Sequence, residues 1–225
     1  MKTISELIER NILEDEFVEK RKRLPLHLKF PVITISREKG SGGRPIALLV
    51  AKKLGKPWKV YHKEIIDEIA KKIHLENELV NEIDERNIPF IEEIIADFFG
   101  KRYLNLNSYY RQLVKIISVI GQRGYAVIIG RGANFLLPNS LKVRIICEMP
   151  QRIAWLMEHE NFTKREAMAQ IEKSDAERGD FVDAVFRHDP KKAHHYDLVI
   201  RTGPNLSIEN AADLIVFEAK RRFKL

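Results

Sequence analysis

Short apolar runs alternate with helix-spaced amphipathic segments along most of this chain. Five runs read as strands, at residues 32–36, 58–61, 126–130, 142–148 and 197–201. The runs at 32–36 and 126–130 are rich in Val and Ile and nearly continuous, as expected of parallel strands buried on both faces. Between the strands the period lengthens to that of a helix. Residues 44–54 form one such segment, with Pro45 in its first turn, where a proline forfeits no hydrogen bond. Gly55 and Pro57 end it, and a helix over 63–73 follows the second strand. Residues 76–124 carry no strand pattern, only apolar helical segments around 79–83, 90–99 and 109–120 broken by Pro89 and Gly100. A strongly polar helical stretch over 151–178 precedes an irregular segment marked by Gly179, Asp189 and Pro190. Ser207 then caps a last helix over 208–222. Strands alternating with helices predict an α/β fold with a parallel sheet covered on both faces, and ligands at the carboxyl ends of its strands.

The N-terminal residues 1–31 read as an appendage and linker. Thr3 and Glu6 make a capping box, and Ile4, Leu7, Ile8, Ile12 and Phe17 share one face of a helix over 3–19. Such a helix is expected to dock on the domain or on a second copy, which makes a homodimer an expectation.

Candidate chemistry concentrates where the first strand meets the first helix. The stretch Ile33-Thr-Ile-Ser-Arg-Glu-Lys-Gly-Ser-Gly-Gly-Arg44 is strand, glycine turn and helix start. Glycines let main-chain N–H groups close around an anion, and the helix N-terminus adds about half a positive charge. The loop of Lys39, Gly40, Ser41, Gly42 and Gly43 is therefore a candidate polyphosphate cradle. The same glycines also suit a purely structural turn. The P-loop pattern wants a lysine after its last glycine; here Gly42 is followed by Gly43 and then by Arg44.

Composition narrows the partners. The 225 residues are 44% hydrophobic and 32% charged, a balance typical of a globular protein able to bury a real core. Apolar runs stay far short of the roughly 20 residues of a membrane span, and no signal-peptide pattern opens the chain, so no membrane and a cytoplasmic location are expected. The single cysteine, Cys147, excludes an intramolecular disulfide and a cysteine-rich zinc site. His188, His194 and His195 lack the spacing of a metal motif, so no protein-held metal site is predicted. Lys and Arg number 39 against 32 acids, a net charge of +7. The cations are scattered among acids apart from two clusters, Lys20-Arg-Lys-Arg23 and Lys220-Arg-Arg-Phe-Lys224, which favours a solvated basic face over a nucleic-acid site.

The order of these pieces resembles the cytidylate kinase-like family of P-loop nucleoside monophosphate (NMP) kinases. The resemblance runs over about residues 32–220. It rests on the glycine stretch, on Tyr61-His-Lys-Glu-Ile65, on Val127-Ile-Ile-Gly-Arg-Gly-Ala133, and on Asp175-Ala-Glu-Arg178 followed by Tyr196-Asp-Leu-Val-Ile200. It implies a three-layer P-loop fold over 32–225 with a helical NMP-binding region at 76–124 and a lid at 151–195. It also implies ATP-dependent phosphorylation of a nucleoside monophosphate such as CMP or dCMP, with Mg²⁺.

Residue by residue, the resemblance implies that Lys39 to Gly43 wrap the donor phosphates, with Arg44 and then Lys39 as the nearest cations. Arg131, of the Gly-Arg pair, would grip the acceptor phosphate with paired hydrogen bonds; a structural salt bridge is its other reading. Arg111 matches an arginine of the NMP-binding helices. Asp175 and Arg178 match a lid element in which the acid reads the cytosine amino edge and the arginine contacts phosphate, although their spacing also suits a surface ion pair. Arg152 opens the lid helix. Several positions depart from the family. Gly43 replaces the loop lysine, and Ile129 replaces a strand aspartate that helps to hold Mg²⁺. Trp155 stands where a further arginine is expected. His62-Lys63-Glu64 replaces an Asp-Thr-Gly element, which makes Glu64 the spare carboxylate for the acceptor site. These losses keep two alternatives open: a catalytically weak or inactive nucleotide-binding regulatory protein on the same fold, and, less favoured, a nucleic-acid-binding protein.

Overall fold

The computed structural model describes residues 31–64, 66–67, 95, 99–100, 102–106 and 108–225. The expected helix over 3–19, its capping box, most of the segments at 79–83 and 90–99 and the end of the helix over 63–73 lie outside the described residues.

Five strands form one parallel sheet: β1 (Val32–Arg37), β2 (Lys59–Tyr61), β3 (Ala126–Ile129), β4 (Leu141–Cys147) and β5 (Leu198–Thr202), in the order β2-β3-β1-β4-β5. β1 occupies the centre. Ile33 pairs with Val127 of β3 on one side and with Leu141 of β4 on the other. Among the described residues the helices that frame the sheet are α1 (Gly43–Leu54), α2 (Ser108–Arg123), α3 (Ala133–Leu136), α4 (Met149–Glu160), α5 (Lys164–Phe186) and α6 (Ile208–Phe223), with a further short helix at Arg102–Asn105.

Alternation along the strands sorts their side chains into two layers. Ile33 and Ile35, Val127 and Ile129, and Leu141, Val143 and Ile145 face α1 and α6, where they meet Ile46, Val50, Ala212 and Ile215. Val32, Ala126 and Ile128 face the opposite side, against Leu113, Ile116, Ile117 and Ile120 of α2 and Val182, Val185 and Phe186 at the end of α5. Each fully buried isoleucine contributes about 2 kcal/mol by leaving water, so this double burial dominates the choice of sheet and register.

The polar helical stretch expected over 151–178 is made of two helices. Asn161 takes a left-handed conformation (φ 56°) and ends α4. Thr163 then caps α5, its hydroxyl accepting from the Glu166 N–H while Glu166 reaches back to the Thr163 N–H, a reciprocal box. Nor is Gly179 in an irregular segment. α5 runs through it to Phe186 because Val182, Val185 and Phe186 are drawn into the core, which outweighs a glycine penalty of about 1 kcal/mol. Ile153 and Leu156 of α4 pack on Ala167 and Ile171 of α5, giving this pair a small core of its own.

Gly130, Arg131 and Gly132 after β3 all have left-handed φ, at 73°, 54° and 67°. A Cβ on residue 132 would overlap Cε2 of the Phe186 ring. Gly132→Ala combines that overlap with a disfavoured backbone and is expected to lower stability by about 2–4 kcal/mol in urea denaturation. A loss below about 1 kcal/mol would mean that Phe186 does not hold this turn.

Candidate functional site

β1 has β3 on one side and β4 on the other, so the chain leaves β1 toward one half of the sheet and leaves β3 toward the other. Loops diverge at such a point and leave a crevice beyond the strand ends. Here that crevice is a cleft of about 980 Å³, lined among others by Ser36 to Lys39, Ile129 to Gly132, Arg144, Arg152, Asp175 and Arg178.

The glycine loop lies beside it, with Lys39 in the lining and Gly40 to Gly43 outside it, and is fixed by polar contacts on several sides. The Glu38 N–H donates to the Ile145 carbonyl (3.1 Å), the Ser41 hydroxyl to the Glu38 carbonyl (2.9 Å) and the Thr202 hydroxyl to the Ser41 carbonyl (3.0 Å). Gly40 and Gly42 have φ of 80° and 78°, available to glycine at little cost. Gly40 also permits close approach, since a Cβ there would lie 2.8 Å from the Arg152 carbonyl oxygen. Gly42 and Gly43 are buried, and Gly42 lies beneath the Ile208 side chain.

α4 and α5 clamp onto this loop through Asp175. Its Oδ1 accepts from the Lys39 N–H (2.9 Å) and from the Arg178 guanidinium (2.9 Å), and its Oδ2 pairs with Arg152. Arg152 Nε donates to the Lys39 carbonyl at 2.7 Å. Asp175 thus grips both the loop and two arginines. Lys39 Nζ is neutralised by Glu160 of α4 at 2.6 Å. Glu38, which the sequence reading passed over, ties β1 to β4: it accepts from the Cys147 N–H at 3.1 Å and lies 3.6 Å from Arg144 and 3.7 Å from Arg152.

Of the other expected site residues, Arg131 lies in the cleft. It pairs with Asp67, and its guanidinium is 5.4 Å from the centre of the Phe181 ring. Its Nε is buried without a hydrogen-bond partner among the described residues. Asp67 also accepts from the Tyr109 hydroxyl at 2.9 Å; burial and that bond push the Tyr109 phenol up to about 12. Glu64 lines the cleft and accepts from His62 Nδ1 at 2.5 Å. Burial would raise the Glu64 carboxyl, but its own backbone amide, His62 and Arg44 together hold it below the usual glutamate value. Arg44 is exposed on the first turn of α1, 3.4 Å from His62 Nε2, and does not line the cleft. Arg111 donates to the Leu104 carbonyl at 3.2 Å and likewise lies away from the lining.

The cation that sequence reasoning missed is Arg37. Its stem crosses Gly43, where a Cβ would lie 2.6 Å from Arg37 Cβ, and its head group lies over Gly130. The guanidinium forms no hydrogen bond or ion pair with the described residues. Burial, then Arg178 and then Arg131, disfavour its charge and draw it down to about 9, against the smaller pull of Glu64 and Asp175. Arg178 is lowered as well, by burial, despite Asp175. The sequence did carry a signal: a charged residue ending a buried strand beside two glycines.

The donor set does not suit a protein-held Mg²⁺. Ile129 ends β3, Arg44 stands where the P-loop pattern has its hydroxyl, and Glu38 and Asp175 are engaged by arginines. Among the described residues no group of three His, Cys, Asp or Glu side chains could hold a metal ion, and no helix is long and apolar enough to cross a membrane.

The sequence profile of the cytidylate kinase-like family matches residues 32–204, well over half of the chain. No curated protein matches. Among solved structures, an uncharacterized protein from Eubacterium ventriosum superposes with a TM-score of 0.67 at 21% identity, covering 85% of this chain and 98% of that one. This likeness shows the fold: an all-parallel α/β sheet flanked by helices. A protein from Thermus thermophilus gives a TM-score of 0.43 at 16% identity, covering 84% and 97%.

Asp175→Ala removes the acceptor of the Lys39 amide and strips two arginines of their partner. Because the pair is partly exposed, the stability loss is expected to be about 2 kcal/mol rather than the larger cost of a fully buried pair. Hydrogen exchange at Lys39 should accelerate at least tenfold while β1 amides stay protected. Unchanged exchange at Lys39 would show that the loop is held without this carboxylate.

Proposed function

The chain belongs to the cytidylate kinase-like family, and on that premise we propose that it is an ATP-dependent phosphotransferase acting on a nucleoside monophosphate of the CMP or dCMP class. The observation that carries this reading is the gathering of Arg37, Arg131 and Arg178 around one cleft, beside a glycine loop at the carboxyl ends of a parallel sheet. Phosphoryl transfer asks a protein for alignment of two phosphates, for positive charge where the transition state spreads its negative charge, and for exclusion of water. Arginines meet the second need without a proton to exchange. Arg131 is suited to the acceptor phosphate, because it follows β3 directly and its Nε lacks a partner among the described residues. Arg152 and Arg178, carried by α4 and α5, are suited to the donor. An arriving polyphosphate would compete with Asp175 for both of them, so the clamp loosens as the substrate takes over its contacts. Any Mg²⁺ would ride on the donor phosphates, since Glu38 and Asp175 are already held by arginines.

A second reading, nucleotide binding without turnover, is favoured by two features. Gly42 and Gly43 are buried beneath neighbouring side chains, and Ile129 supplies no carboxylate.

ADP release, measured with ATP and a panel of nucleoside monophosphates, separates the readings. Release that depends on CMP or dCMP is expected, and Arg131→Ala should cut it at least tenfold with an unchanged thermal midpoint. Nucleotide binding without release would establish the second reading; no binding at all would end both.

A further inference from the structure

Gly43 poses a question that backbone conformation does not answer. It is the first residue of α1 and has no left-handed φ, so any residue could adopt its backbone. A glycine in a helix costs about 1 kcal/mol relative to alanine. What glycine provides here is room. A Cβ on residue 43 would lie 2.6 Å from Arg37 Cβ and 2.8 Å from Cγ, so the absence of a side chain at 43 is what lets the Arg37 stem lie across the loop. Gly130 makes the same allowance at the other end, where a Cβ would run into the Arg37 head group. Two glycines, one under the stem and one under the head group, are cleared for one arginine.

The stem delivers its charge between the glycine loop and the turn that bears Arg131. Arg37 is half-buried at the cleft, where an arginine is usually held by an ion pair. Arg37 has none among the described residues and faces two further arginines. Burial and those neighbours draw it down to about 9, yet a guanidinium remains charged in proteins. The fold therefore holds this charge at a cost that an anion in the cleft would relieve.

We propose that Arg37 supplies, from the end of β1, the phosphate-directed charge that P-loop proteins place after the last loop glycine, and that Arg37, Arg131 and Arg178 together bind the phosphoryl group in transit. This rests on the phosphotransferase reading and assigns it a cation. In the transfer, the bond from the γ-phosphorus to the bridging oxygen breaks and its electron pair leaves with ADP. A bond forms from the same phosphorus to an oxygen of the acceptor phosphate. The nonbridging oxygens keep their charge throughout, and these are the atoms the three guanidinium groups would hold.

The test uses inorganic tripolyphosphate as probe, titrated calorimetrically into the full chain, with thermal midpoints measured in its absence. Arg37→Met keeps an apolar stem over Gly43 and removes only the charge. It is expected to bind tripolyphosphate at least tenfold more weakly while melting no lower than the wild type, because repulsion among the arginines is relieved. Gly43→Lys alone should melt lower, since its Cβ meets the Arg37 stem. The double variant R37G/G43K returns the charge to the position of the P-loop pattern and should recover both midpoint and affinity to within about threefold. If Arg37→Met does not fold, the double variant decides by the same criterion. Wild-type affinity in Arg37→Met, or no recovery in the double variant, would overturn this inference alone. A wild type that binds neither tripolyphosphate nor ATP would overturn the phosphotransferase reading with it.

Discussion

β1 has no side that faces water. Its apolar residues are buried against helices on both faces, and both its edges are hydrogen-bonded, to β3 and to β4. A strand so enclosed cannot slip in register without driving Ile33 and Ile35 into the wrong layer. Its carboxyl end is consequently a fixed point, and Arg37, Glu38 and the glycine loop all leave from it. The direction of the Arg37 stem, the tie from Glu38 to β4 and the position of the loop beneath α4 follow from that one constraint.

Positive charge is the second theme, and it is distributed unevenly. Arg152 and Arg178 are answered by Asp175, Arg144 by Glu38, and Lys39 by Glu160. Arg37 is answered by no described residue, and Arg131, though paired with Asp67, keeps a buried Nε without a partner among the described residues. A stability optimum would pair these groups or remove them. A cation without a described partner at a strand-end cleft, together with Arg131 in a left-handed backbone between two glycines, is the kind of strain that folds tolerate where a ligand completes the arrangement.

α4 and α5 stand partly apart from the main core. Their own cluster around Leu156 and Ile171 is small, while the far end of α5 is anchored by Val185 and Phe186. The near end meets the loop mainly through polar contacts centred on Asp175. Such contacts exchange more readily for ligand contacts than apolar packing does.

Local pattern carried most of the architecture. All five strands, the glycine loop, the helix over 44–54 and the cap at Ser207 were legible, because each depends on neighbours within a few residues along the chain. The break at Asn161 and the passage of α5 through Gly179 were not, since both are decided by what the helices pack against. In the cleft the same division separates Arg44 from Arg37. Adjacency to the last glycine pointed to Arg44, but the first turn of α1 projects that side chain outward to His62. The sequence by itself determined that a glycine loop follows a buried parallel strand and that cations cluster near it. Only the tertiary structure decided which cation enters the cleft, because a side chain's direction is set by its strand or helix and by the space that distant glycines leave for it.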